Sequence, residues 1–175
     1  MKCYIGLDLS LCNTGIVILD ENGQLYYHLV ISVKSKDVER LENIRAMLMN
    51  TIKNLSNTCE LVVNKIVVEG YSFGSRLGQA FSIGELGGVI KLDLWKNYPD
   101  IVTVVPPTRL KKFVTGKGNA KKDVMMKEVY KKWGYNTDND NLADAFGLAK
   151  IAYHLCNPKG LNKIEKEVID AILNP

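Results

Sequence analysis

The chain has 175 residues, 46% of them apolar, and a formal charge of +4. That size and apolar content can supply one well-buried core and exclude two large domains. No stretch approaches the ~20 consecutive apolar residues that cross a bilayer, and Asp8 interrupts the apolar start "MKCYIGLDLS", so a soluble, cytoplasmic protein without membrane association is expected.

In chain order, "CYIGLDL", "TGIVILD" and "GQLYYHLVISV" predict three strands joined by the turns "SLCN" and "ENG", hence an antiparallel meander. The period then changes. Val38, Leu41, Ile44, Leu48, Ile52 and Leu55 recur at three and four, which marks an amphipathic helix with Asp37 at the expected cap. "KIVVEGY" predicts a short strand buried on both faces and ending on Glu69. A helix from about Gly78 to Trp95 follows, then a fifth strand in "DIVTVVPP". "TRLKKFV" predicts a short helix, "TGKGN" a loop, "AKKDVMMKEVYKKWG" a basic helix, "NLADAFGLAKIAYHL" another, and "NKIEKEVIDAIL" a last amphipathic one. No repeat or linker interrupts this order, so residues 1–175 are expected to form a single α/β domain, a mixed five-stranded sheet covered by helices.

Cys3, Cys12, Cys59 and Cys156 have no CxxC spacing and no nearby His pair, which leaves zinc and a disulfide framework without support. Charge is more informative. From Arg109 to Lys132 nine basic residues stand against two acids, whereas Asp138, Asp140 and Asp144 follow within a few positions. A basic stretch beside an acidic point suggests a polyanion and a metal.

Asp8 sits among Ile5, Leu7 and Leu9, and Glu69 closes Val67 and Val68. Taken singly, each is explained as a strand-end residue bonded to nearby backbone. If the first and fourth strands are neighbours, however, the two acids project together, and paired carboxylates repel unless a cation or a shared proton compensates. Asp140 and Asp144, four apart, share a helix face, as do Asn141 and Asp144, three apart. Asp140 also suits a helix N-terminus, as a cap or first-turn acid. Asp144 lies a turn further in, between Ala143 and Ala145, where a neutral residue would pack better. Oxygen-rich side chains meeting at one point suit Mg²⁺, with Mn²⁺ as a substitute. Two such ions about 3.5 to 4 Å apart serve phosphodiester hydrolysis.

"GLDLSLCNTG", "VVEGYSFGS", "PPTRLKKFVTGKGNAKKDV" and "DNLADAFGLA" resemble, in the same order, the four blocks of the RuvC-type Holliday-junction resolvases of the ribonuclease H-like superfamily, from about Lys2 to Leu155. The resemblance implies that superfamily's sheet, a three-stranded antiparallel meander plus two parallel strands flanked by helices. It also implies a Mg²⁺-dependent endonuclease that resolves four-way DNA junctions, leaving 5′-phosphate and 3′-hydroxyl ends. The family's metal-binding acids fall on Asp8, Glu69 and Asp144. Its fourth position, commonly Asp and sometimes His, falls here on Asn141, a neutral ligand. Asp140, one residue earlier, is the preferred alternative because a carboxylate offsets the cations' charge better than an amide.

Lys111, Lys112, Lys117, Lys121 and Lys122 surround "TGKGN", whose glycines allow backbone N–H groups close to a phosphate. With Arg109 they form the expected DNA-binding segment; the resemblance implies DNA contact at Lys111 and Lys122 and extends Lys122 to the scissile phosphate. Lys127, Lys131 and Lys132 fit a solvated helix face equally well. In "YSFGSR", Tyr71 and Phe73 fit a core position after a buried strand, while the resemblance implies an aromatic stacked at the opened junction, Phe73 or Tyr71, with Arg76 adding a phosphate contact. Gly78, Gly84, Gly87 and Gly88 indicate close backbone approach on the next helix, either to the chain's own sheet or, as the resemblance implies, across a homodimer interface.

"GLDLSLCNTG" also resembles the first phosphate loop of the actin-like ATPases and sugar kinases. Those need two such domains and a second loop, so no nucleotide cofactor is expected. A non-catalytic junction-binding protein and a broader branched-DNA or flap nuclease remain as alternatives, in a bacterial cell or a phage-infected host.

Overall fold

In β1 (Lys2–Asp8), Cys3, Ile5 and Leu7 enter one apolar cluster while Tyr4 enters another, so alternation puts Gly6 and Asp8 on the Tyr4 side of the sheet. A computed structural model of the chain describes residues 1–71 and 77–174. The remaining strands are β2 (Thr14–Leu19), β3 (Leu25–Ile31), β4 (Val62–Glu69) and β5 (Val102–Val105). They form a five-stranded sheet in the order β3-β2-β1-β4-β5. β1–β2 and β2–β3 pair antiparallel, whereas β1–β4 and β4–β5 pair parallel. This is the expected meander extended by two parallel strands, with β4 starting three residues before "KIVVEGY" and β5 shorter than "DIVTVVPP".

Helices cover both faces. On one, α1 (Asp37–Thr58) buries Ile44, Leu48 and Ile52, and α2 (Leu77–Asn97) buries Leu86, Ile90 and Leu94, against Ile5, Leu7, Ile66 and Val68. Arg45 of α1 holds Asp93 of α2 at 2.5 Å. Asp37 is not the cap. Lys36 occupies the N-cap without a side-chain hydrogen bond, and Asp37, with φ 48°, is a first-turn acid facing the helix dipole.

On the other face α5 (Asp140–Cys156) lies across β1, β2 and β4, ringed by α3 (Pro107–Thr115), α4 (Lys122–Trp133) and α6 (Lys163–Leu173). Ala143, Ala145, Ala149 and Ala152 leave room for this contact, and the sheet answers with glycine. A Cβ on Gly6 would overlap the carbonyl oxygen of Ala145 and the amide nitrogen of Ala149; one on Gly15 would meet the carbonyl oxygen of Asn141 at 2.5 Å. Backbone thus rests on backbone, and the first turns of α5 are brought down to the ends of β1 and β4. All four cysteines are free. Among the described residues no helix is long and apolar enough to cross a membrane.

Candidate active site

Asp8 ends β1 and Glu69 ends β4, and the register that pairs Leu7 with Val68 sets the two acids side by side. Both fall on the α5 face, because Tyr4 and Val67, an even number of positions earlier on their strands, do so. Asp8 is 6% exposed and shares a hydrogen bond with Glu69. Burial, then the charges of Glu69 and Asp144, hold the Asp8 carboxyl well above the usual carboxylate range. Burial also raises Glu69, which the bond to Asp8 and the ammonium groups of Lys111 and Lys122 partly offset. The shared bond raises Asp8 and lowers Glu69, favouring the protonated form of the first and the ionised form of the second. Asp144, on the first turns of α5, is pushed up to about 7 by burial and then by Glu69.

The helix supplies a different environment one turn earlier. Asn139 is the N-cap of α5, its side chain accepting from the Leu142 amide at 3.1 Å, and Asp140 is the first helical residue. Its carboxylate pairs with the Lys122 ammonium, which holds it below the usual range. Asn141 rests its backbone carbonyl on Gly15, the residue opposite Asp8 in the β1–β2 ladder. The expected four-ligand point is therefore only partly formed. Asp8 and Glu69 touch, Asp144 faces them as a repelling charge, and Asp140 is turned to Lys122. Among the described residues no three Asp, Glu, His or Cys side chains close to a ready coordination shell.

The basic residues flank this point. Lys111 on α3 and Lys122 on α4 both lower the Glu69 and Asp144 carboxyls through their charge, which puts two ammonium groups beside the acids. Arg109 shares α3 with Lys111, Lys117 lies in the loop between the helices and Lys121 is the N-cap of α4. Lys112 is paired instead with Glu167 of α6 at 3.3 Å. Lys132 donates to the Phe113 carbonyl at 3.2 Å and to Glu165 at 2.7 Å, so it joins α4 to α3 and α6 rather than forming a solvated face. Tyr71 is engaged too: its hydroxyl donates to the Gly84 carbonyl at 3.2 Å, its ring occupies the space a Gly87 side chain would take, and Lys91 sits 4.2 Å above it. Phe73 and Arg76 lie outside the described residues.

A family model described as crossover junction endodeoxyribonuclease RuvC matches residues 4–152. The chain belongs to this family. A curated RuvC crossover junction endodeoxyribonuclease, from Brachyspira hyodysenteriae, is 36% identical over 86 residues, 49% of this chain and 53% of that protein. The chain thus spans about half the length of the curated relative it matches. Thermus thermophilus RuvC has the same fold, with a TM-score of 0.68 at 19% identity over 89% of this chain and 96% of that one. The structure of T. thermophilus RuvC in complex with Holliday junction substrate also scores 0.68 at 19% identity, covering 90% and 94%. The mixed sheet and its flanking helices are the ribonuclease H-like fold of RuvC.

RuvC membership implies chemistry that depends on a divalent metal, and the donor set fits one. Asp8, Glu69 and Asp144 are all oxygen donors, and burial disfavours the ionised form of each, a cost that a hard cation removes. Residues to which the sequence reading gave no role prove equally important to the site. Gly6 and Gly15 set the height of α5, and the available signal was a glycine in each of two otherwise apolar strands. α6 lies beyond the residues that match RuvC, yet Glu165 and Glu167 anchor the lysine-bearing helices from there.

Proposed function

We propose that residues 1–175 act as one nuclease domain, a structure-selective DNA endonuclease that resolves four-way junctions by metal-dependent phosphodiester hydrolysis. One observation carries the reading: Asp8 and Glu69 touch at one end of the sheet and Asp144, from a third element far off in sequence, faces them, the charged form of each disfavoured. Asp8 and Asp144 would hold one Mg²⁺ with Asn141 or Asp140, and Asp8 and Glu69 a second, Mn²⁺ serving as a substitute. Bound there, the ions supply an activated water and stabilise the leaving 3′ oxygen, giving 5′-phosphate and 3′-hydroxyl ends. The acids orient this centre and exclude bulk water at the Asp8 side, which is buried. Lys111 and Lys122 meet the phosphate that enters between them, and Arg109, Lys117 and Lys121 extend that contact along the strand. With Tyr71 engaged by α2, base stacking at the opened junction falls to Phe73. The cytoplasm of a bacterial cell or a phage-infected host supplies such DNA.

The outer face of α2 supports a homodimer as part of this reading. Phe81, Leu92 and Trp95 are exposed at 70%, 53% and 64%, and Gly84 and Gly88, on the same side, have nothing within 4 Å of an added Cβ. Helical spacing sets these five residues opposite the buried Leu86, Ile90 and Leu94. Two copies joined there address two strands of one junction.

The deciding experiment compares cleavage of a four-way junction, a flap, a linear duplex and a single strand, with Mg²⁺ and with EDTA. Paired nicks in the junction that require Mg²⁺ and vanish in Asp8→Asn support the proposal. Equal cutting of flap and junction would make the protein a general branched-DNA nuclease. Binding without cleavage would leave it a junction-binding module.

A further inference from the structure

Within the acidic point two residues depart from what a metal centre needs. Asn141 stands where family members commonly carry a charge, so Asp8, Glu69 and Asp144 are one negative charge short of balancing two divalent cations. The missing carboxylate is next door, on Asp140, but it is paired with Lys122. Asp140 and Asp144 are one turn apart on α5, and each of Asp8, Asp144 and Asp140 senses the Lys122 ammonium. Lys122 is therefore central to the cluster, while its side chain is 72% exposed and open to a strand from solvent.

We propose that Lys122 and Asp140 form a latch that DNA releases: a phosphate takes the Lys122 ammonium, and the freed Asp140 carboxylate turns to the metal centre as its fourth charged ligand. The inference rests on the nuclease reading. An exposed ion pair is weak enough to exchange, since such pairs contribute well under the strength of a charge-assisted phosphate contact in a basic groove. The latch has a direct consequence for this chain. Without DNA, metal binding must first break the pair, so the centre fills poorly; with DNA, phosphate and metal support each other through one lysine and one aspartate. Asn141 is then a neutral spacer whose lost charge is restored only on the substrate.

Mn²⁺ binding to the DNA-free chain, followed by calorimetry, tests this without any turnover. Lys122→Met should tighten Mn²⁺ about two- to fivefold, the size of an exposed pair, and Lys122→Arg, which keeps the pair, should leave it unchanged. The decisive comparison is in the Asp140→Asn background, where Lys122→Met should keep only the smaller effect of its charge on Asp8, Glu69 and Asp144. Equal tightening in both backgrounds would mean that Lys122 acts only through its field on the other acids, and no tightening in either would mean that Asp140 never ligates; both overturn the latch. Wild-type cleavage of a four-way junction with Mg²⁺ is measured alongside. If the wild type cleaves while the cycle is additive, the latch alone fails; if it neither binds nor cleaves the junction, the nuclease reading fails.

Discussion

Asp144 shows most directly what one residue adds to the site. Its carboxyl, at about 7 in the metal-free chain, lies above the unfolded value of about 4, so the proton it holds stabilises the fold. That contribution is complete below about pH 4 and is lost as the pH rises through about 7. Asp8 and Glu69 are raised as well and act with the same sign. His154, lowered by burial, acts with the opposite sign and loses stability on acidification. Urea midpoints of the metal-free chain should therefore fall between about pH 5 and about pH 8, and saturating Mg²⁺ should restore the value at the upper end. Asp144→Asn should flatten this fall and leave the His154 contribution in place. A fall of undiminished size in that variant would place the titrating group elsewhere. Asp8→Asn belongs to the same scale: if the proposed nuclease reading holds, it should lower junction cleavage by several orders of magnitude while leaving junction binding in Ca²⁺ within about threefold, because the residue is buried against Glu69 and Asp144.

At the scale of elements, α5 is the part that makes a site out of a sheet, and Gly6 and Gly15 set its height. Alanine at Gly6 has no space between β1 and the α5 backbone, and neither neighbour is a flexible side chain. Gly6→Ala should cost about 3 kcal/mol or more in unfolding free energy, at or beyond the upper end for overpacking. Gly15→Ala, meeting one carbonyl at 2.5 Å, should cost less and shift Asn141 and Asp144 away from Asp8, so metal affinity should fall more than stability. Chemical denaturation and Mn²⁺ calorimetry on both variants check the two effects separately. This also explains what the chain made legible. The meander, the parallel β4 and the amphipathic α1 follow from periods of two and of three to four, which are local. Asp8 and Glu69 could be placed at strand ends and Asp144 on a helix face from spacing, and the resemblance to the RuvC-type resolvases joined the three. The Lys122–Asp140 pair and the Tyr71–Gly87 contact were not legible, since each depends on how helices pack side by side. Asp37 was misplaced for a related reason: an acid near a helix start suits both cap and first turn, and it is the extended backbone of Lys36 that makes that residue the N-cap.

For the whole molecule, the basic residues predict that junction affinity falls by about a hundredfold or more between about 50 and 200 mM salt, with Lys117→Ala lowering the slope by about one. The outer face of α2 makes a sharper prediction, because its glycines set two quantities against each other. Gly84 and Gly88 lie in a helix, where each costs about 1 kcal/mol relative to alanine, and neither has a neighbour that a methyl group would strike. Within one copy, then, Gly88→Ala should stabilise. If the two glycines let a second α2 approach closely, as small residues do at tight helix crossings, the same methyl group must push that helix away. Gly88→Ala should accordingly raise the unfolding midpoint of dilute protein and weaken self-association at micromolar concentration, while Trp95→Glu, which puts a charge into the apolar face, should yield a monomer with an unchanged core. Sedimentation equilibrium alongside thermal unfolding separates the two effects. A rise in stability with no change in association would show that α2 meets no partner, and the outer apolar face would then need another occupant.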